Sequence, residues 1–323
     1  MRKPLLLIGL QWILLSAMAQ NIDFKFSGGI SDADLSAVME KRVSGLLTEL
    51  NAACAQNREL QLASFHLTSR ASQSLQLLWK NFHFSCNDSK IRQLCLQDVN
   101  GYEIRGVAIT LTPMGSNFKG ELNRELTICF APDKEITGVH MALANNSFAS
   151  IVGKGRDVTD TRRRLEILKF VEDFRSYYDE KDLEALRNVY SDDALIITGK
   201  VIHRRNLGHD QAQMKPEIVY CKQNKEQYLS SLQRVFQNNK FIRVQFDSIS
   251  VRRHPAKAGF YAVTLHQKWQ SSNYSDDGYV FLLWEFKEGA SPVVHVRTWQ
   301  PDMIGSQKLD EDDVFNENDF FIP

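Results

Sequence analysis

A surplus of charge of either sign is missing from this sequence. Its 39 lysines and arginines match 39 aspartates and glutamates over 323 residues. No overall field then draws the chain to nucleic acid or to an anionic membrane, and neither is expected as a partner. Proline is scarce, at eight residues, and the seventeen glycines follow no period, which excludes collagen-like and linker-dominated architectures. Cysteine is sparse as well. The spacing of Cys54, Cys86, Cys95, Cys129 and Cys221 fits no zinc pattern, so no metal is expected. The odd number leaves at least one thiol outside any internal bridge, and the pairing of the others stays open. No H-E-x-x-H, G-x-S-x-G, P-loop or G-x-G-x-x-G pattern occurs, and no cofactor is expected.

Long apolar runs are confined to the start of the chain. Arg2 and Lys3 precede the short apolar segment Leu5–Leu15, and Ala17-Met18-Ala19 places small residues at −3 and −1 before Gln20. This is the pattern of a secretory signal peptide over residues 1–19, cleaved after Ala19. Export to a bacterial periplasm or to the extracellular space is the expectation. No cysteine follows the cleavage site, so no lipid anchor is expected, and no later run is long enough for stable membrane insertion.

With 43% hydrophobic residues, the remaining chain can bury a normal core, and its length suits two domains. In the first, residues 20–150, Ser31 and Asp34 read as a capping box. Leu35, Val38, Met39, Val43, Leu46, Leu47 and Leu50 follow at helical spacing, giving a helix from about Asp32 to Gln56. A second helix spans Ser69–Asn81. Strands Lys90–Val99 and Tyr102–Thr112 flank Asn100-Gly101, a hairpin signal, and alternation resumes at Leu126–Phe130 and Val139–Leu143. Two helices followed by about four antiparallel strands predict an α+β layer. Residues 151–160 read as a linker.

The second domain spans 161–303. Ile167, Phe170, Val171, Phe174 and Tyr178 share one helix face. Asp182 caps a short helix with Leu183, Leu186 and Tyr190. Ala194–Ile197 is a short strand, and His203–Lys222 reads as an irregular polar stretch. Asn224 and Gln227 open a third helix through Phe236. Four strands follow, at roughly Arg243–Arg252, Phe260–Trp269, Tyr279–Phe286 and Val293–Trp299.

Helix, helix, short strand, helix and long meander, with Asp182-Leu183, Tyr190-Ser191-Asp192-Asp193-Ala194, Gly278–Phe286 and His295–Pro301, resemble the nuclear transport factor 2-like superfamily. That group includes SnoaL-like and ketosteroid isomerase-like proteins. The resemblance implies a cystatin-like cone for the second domain. It also permits a test of the isomerase chemistry. Anchored on Asp182-Leu183 and Asp192-Asp193-Ala194, the catalytic base position falls on Thr198, the tyrosine donor on Phe174 and the protonated acid on Leu282. None of these side chains can play the role required, since that chemistry needs a carboxylate base and two oxyanion donors. A lyase or isomerase on this fold would instead need His266 or His295 to open into the cone beside a carboxylate.

What remains is an apolar cone. Its candidate lining is Phe174, Tyr178, Thr198, Leu282, Trp284, Val296 and Thr298, with His295, Arg297 and Trp299 facing outward as a candidate interface. The expected partner is a small apolar ligand or an envelope protein. Because the outer sheet face often supports dimers in this superfamily, a homodimer is a further option. The acidic and aromatic tail, residues 304–323, reads equally as a partner-binding peptide or as a segment folded onto the body, and a structural subunit of an envelope assembly is a third reading.

Overall fold

The computed structural model describes residues 21–98, 101–113, 122–143, 150–205 and 214–320. Residues 1–20, which include the expected signal peptide, Asn100 of the expected hairpin turn, residues 206–213 of the polar stretch and the last three residues lie outside them.

The first domain contains β1 (Asp23–Gly28), α1 (Ala33–Gln56), α2 (Ser69–Asn81), β2 (Phe82–Cys86), β3 (Lys90–Asp98), β4 (Gly101–Pro113), β5 (Asn123–Phe130) and β6 (Ile136–Met141). In α1, Leu35, Met39, Val43, Leu46, Leu47 and Leu50 are buried, as their spacing predicts. Its cap is Asp32 and not Ser31: Asp32 Oδ1 accepts from the Asp34 and Leu35 amides, at 2.9 Å each. The sheet runs β1-β3-β4-β5-β6, with β2 also on β4. Two of its strands were not expected. β1 pairs in parallel with β3, so the sheet is not wholly antiparallel. β2 follows α2 without a break, which left no turn residues to mark it. All five cysteines are free thiols, and Cys86, Cys95 and Cys129 are buried as small hydrophobes.

The second domain contains α3 (Val158–Asp179), α4 (Leu183–Val189), β7 (Tyr190–Arg205), β8 (Met214–Asn224), α5 (Lys225–Asn238), β9 (Ile242–Arg253), β10 (Phe260–Ser271), β11 (Ser275–Glu285) and β12 (Val293–Pro301). Asp182 accepts from the Ala185 amide, and Asn224 and Gln227 form a reciprocal capping box, both as expected. The sheet order is β8-β7-β12-β11-β10-β9, with β12 and β7 parallel and the other pairs antiparallel. The three helices pack on one face. The stretch read as irregular is in part the edge strand β8, and the short strand extends to sixteen residues as β7. An edge strand with exposed Val219 and Tyr220 has no clean apolar alternation to betray it.

The two domains meet at Glu172 of α3, which is fully buried. It accepts from Arg105 Nη1 of β4 at 3.0 Å, from Arg105 Nη2, and from the Leu143 amide at 2.6 Å. His140 Nε2 stands 3.5 Å away. Burial works to raise the Glu172 pKa, but His140 and Arg105 outweigh it and hold the carboxyl at about 2. Arg175, one turn on, donates to the Met141 carbonyl.

Candidate functional site

One residue decides what lines the cone. Leu283 pairs with Val296 but Trp284 pairs with Val294, so His295 is the extra residue of a bulge in β12. The bulge reverses the alternation beyond it. Val294 packs in the helix-covered core with Val280, Leu282 and Trp284, and Trp299 packs against the same core. The Arg297 guanidinium lies 5.2 Å from the centroid of the Tyr228 ring on α5. Val296 falls in a separate cluster on the opposite face, with Phe260, Phe281 and Leu283. Of the expected lining, then, Val296 and Thr298 turn away from the cone. Of the expected interface, Arg297 and Trp299 point into it, and His295 alone lies on the outer face.

The inner face divides into two ends. At one, aromatic rings fill the space. Phe174 has Phe170, Tyr178, Tyr190 and Phe246 at centroid distances of 5.0–6.3 Å, and Phe170 meets Trp284 edge-on at 3.9 Å. Phe174, Leu282 and Trp284 are fully buried, so Phe174 and Leu282, the positions expected for the isomerase donors, sit in packed core and not on an open hollow.

Polar groups concentrate towards the other end. Tyr178 Oη lies 2.8 Å from Tyr228 Oη and 3.3 Å from Tyr190 Oη. Burial pushes the Tyr190 and Tyr228 pKa values far up, so both phenols are neutral. Arg297 is 4% exposed, and its Nε and Nη1 have no hydrogen-bond partner. Trp299 is Arg297's neighbour along this face. It pairs across with Thr198 and with Val280, and its Nε1 is also without a partner. The buried Gln267 leaves Oε1 open. Trp269, Trp299, Thr198 and Asp276 are half-buried and mark where this end meets solvent. Burial pushes the Asp276 carboxyl up to about 6, against a hydrogen bond from Tyr274 and the Arg297 charge. The tyrosine–arginine cluster went unrecognised in the sequence because Tyr190 and Tyr228 read as helix-face core residues and Arg297 was assigned to the wrong face.

Both strand histidines are on the outer face. His266 Nδ1 lies 3.4 Å from Asp247 and its Nε2 3.6 Å from Asp302. His295 Nε2 meets Glu285 at 2.7 Å, and its Nδ1 lies 3.2 Å from Ser191 Oγ. Neither ring opens into the cone, which corrects the expectation on which a histidine-dependent lyase or isomerase rested. The tail covers part of this outer face. Gln300 donates to the Asp313 carbonyl at 2.9 Å and accepts from the Phe315 amide at 2.7 Å, while Phe320 stacks on Phe281 at 5.4 Å. Beside the tail lies a groove of about 740 Å³, floored by Leu195, Phe260, Leu283 and Val296.

Residues 214–295, from β8 into β12, match the family model described as the Cds6 C-terminal NTF2-like domain. The second domain is a nuclear transport factor 2-like domain. No curated protein matches the chain. Among solved structures it is similar to Bd1075 of Bdellovibrio bacteriovorus, at 14% identity over 67% of this chain and 76% of that one, with a TM-score of 0.34. It is also similar to naphthalene 1,2-dioxygenase with indole bound in the active site, at 9% identity over 51% and 92% of the two chains and a TM-score of 0.36. A third is ActVI-ORFA of Streptomyces coelicolor, at 10% identity over 44% and 98%, with a TM-score of 0.31. The nuclear transport factor 2-like fold hosts unrelated roles, so the fold assigns no reaction to this chain.

Proposed function

We propose that the chain is an exported, non-catalytic binding protein whose nuclear transport factor 2-like domain holds a small ligand at the Trp269–Trp299 end of its cone. The observation that carries the reading is the set of buried, unpartnered polar atoms of Arg297, Gln267 and Trp299 facing an aromatic interior. Buried donors and acceptors are almost always satisfied in a folded protein, and a bound molecule would satisfy these. Two features support a binder over an enzyme: Thr198, Phe174 and Leu282 fall at the positions the resemblance implies for the isomerase roles, and His266 and His295 lie outside the cone. The export half of the proposal rests on the charge, apolar segment and small residues of the first nineteen positions.

The test is a titration of the mature chain with small aromatic and aliphatic compounds, read by tryptophan fluorescence and by thermal shift. A saturable fluorescence change that is reduced in Trp269→Phe and Trp299→Phe, together with a rise in Tm, is the expected result. A chain that responds to no compound in either measurement refutes the ligand-binding reading. Mass spectrometry of the chain from its native host is expected to find Gln20 first; an intact Met1 terminus overturns export.

A further inference from the structure

We infer that the ligand held in the cone presents a carboxylate to Arg297, with an apolar body against Trp269 and Trp299; this rests on the ligand-binding reading above. A guanidinium keeps its charge at any pH a protein meets. A buried charge is ordinarily paired, because leaving it without a counter-ion in a low-dielectric interior is strongly unfavourable.

Among the described residues, buried Arg105, Arg164 and Arg175 follow that rule, while the fourth, Arg243, lies over the Phe82 and Phe241 rings and feels the charge of Asp179. Arg105 is paired with Glu172 and Glu103, and Arg164 with Asp160. Arg175 carries a bond to the Met141 carbonyl and feels the charge of Asp179. Arg297 departs from it. It is as deeply buried as Arg164, yet among the described residues it forms no ion pair and leaves two of its nitrogens unbonded. Its immediate company is the Tyr228 ring under the guanidinium and the Tyr178 hydroxyl bonded to Tyr228, with no carboxylate among them. Asp276 lies on the same face but makes no ion pair with it; it pairs across the sheet with Trp269.

The missing counter-charge defines the ligand. An oxygen anion would accept the open guanidinium N–H groups in charge-assisted bonds, the strong kind. The unpartnered indole N–H of Trp299, the next inward-facing residue along β12, is a further donor on the same strand. The half-buried Trp269 and Trp299 rings suit a flat or aliphatic body, and Trp269 packs edge-on to Tyr178 at 5.7 Å, which links the rim to the tyrosine cluster.

The experiment compares benzoate, 4-phenylbutyrate and decanoate with the matching primary alcohols on the full mature chain, by calorimetry and thermal shift. The carboxylates are expected to bind the wild-type chain at least about tenfold more tightly than their alcohols, as a charge-assisted bond to a buried partner implies. In Arg297→Gln and Arg297→Met the preference for carboxylate over alcohol is expected to fall from about tenfold to about one, whatever either series loses in absolute affinity. Should either variant fail to fold, the wild-type ratio decides alone. Alcohols that bind as well as carboxylates overturn the pairing with Arg297 while leaving the cone as a ligand site. Silence from both series overturns the ligand-binding reading itself.

Discussion

Replacing Glu172 by Gln tests whether the junction between the domains is held by charge. In the native chain this carboxylate has no solvent exposure and takes hydrogen bonds from Arg105 and from the Leu143 amide. Its pKa falls from the usual 4.5 to about 2. A drop of about two to three pH units corresponds to about 3 kcal/mol of folding free energy at neutral pH. Breaking a buried ion pair from one side costs about 3–5 kcal/mol, which agrees. Glu172→Gln should therefore lose about 3 kcal/mol and about 6–12 °C in Tm. Because the folded pKa is depressed, the native contribution is complete above pH 4.5 and disappears as pH falls towards about 2. The difference between wild type and variant should shrink in step. Asp179 acts in the opposite sense: burial pushes it up to about 7, so its share of stability declines as pH rises towards that value. It is present in both proteins and cancels from their difference. Urea unfolding at a series of pH values reads all of this. A loss below about 1 kcal/mol at neutral pH, or one that persists unchanged at pH 2, refutes the reasoning.

Two further outcomes can be checked. Gln300→Ala removes both hydrogen bonds to the tail backbone and the one to Tyr220, and should raise the rate of proteolytic clipping after residue 309 several-fold, at a cost of about 1–3 kcal/mol in stability; clipping at the wild-type rate would show that Gln300 does not hold the tail. Burial pushes the thiols of Cys86 and Cys129 up to about 12 and that of Cys95 to about 11, whereas Cys221 is exposed, so a thiol reagent at pH 8 should label Cys221 first and those three only on unfolding. Rapid labelling of Cys86 or Cys129 in the native chain would contradict the core described.

The helices were legible because each pairs a cap with a long apolar stripe. Asp182 and the Asn224–Gln227 box stand where the sequence placed them, and Phe174 and Tyr178 lie inside the second core. The meander was legible for the same reason, in period two. What escaped was the structure that leaves no periodic mark. β8 is an exposed edge and β2 directly continues α2. The bulge at His295 is a single inserted residue with no glycine or proline to announce it. That one residue was enough to exchange Arg297 and Trp299 for Val296 and Thr298 in the candidate site, since strand faces follow parity and nothing else. Thr198 kept its assignment because no irregularity separates it from Ile196 on β7.

The hold of Gln300 on the tail is made through main-chain atoms, the Asp313 carbonyl and the Phe315 amide. A clasp of that kind is blind to the side chains it grips. The exposed acids Asp310, Glu311, Asp312 and Asp313 are accordingly free to drift over evolutionary time, provided the backbone path survives and an aromatic ring still lands on Phe281, whereas Glu317 is tied to Arg252 and Asp319 to the Asn316 amide. Related chains should then carry tails that look unlike in composition and yet lie along the same track.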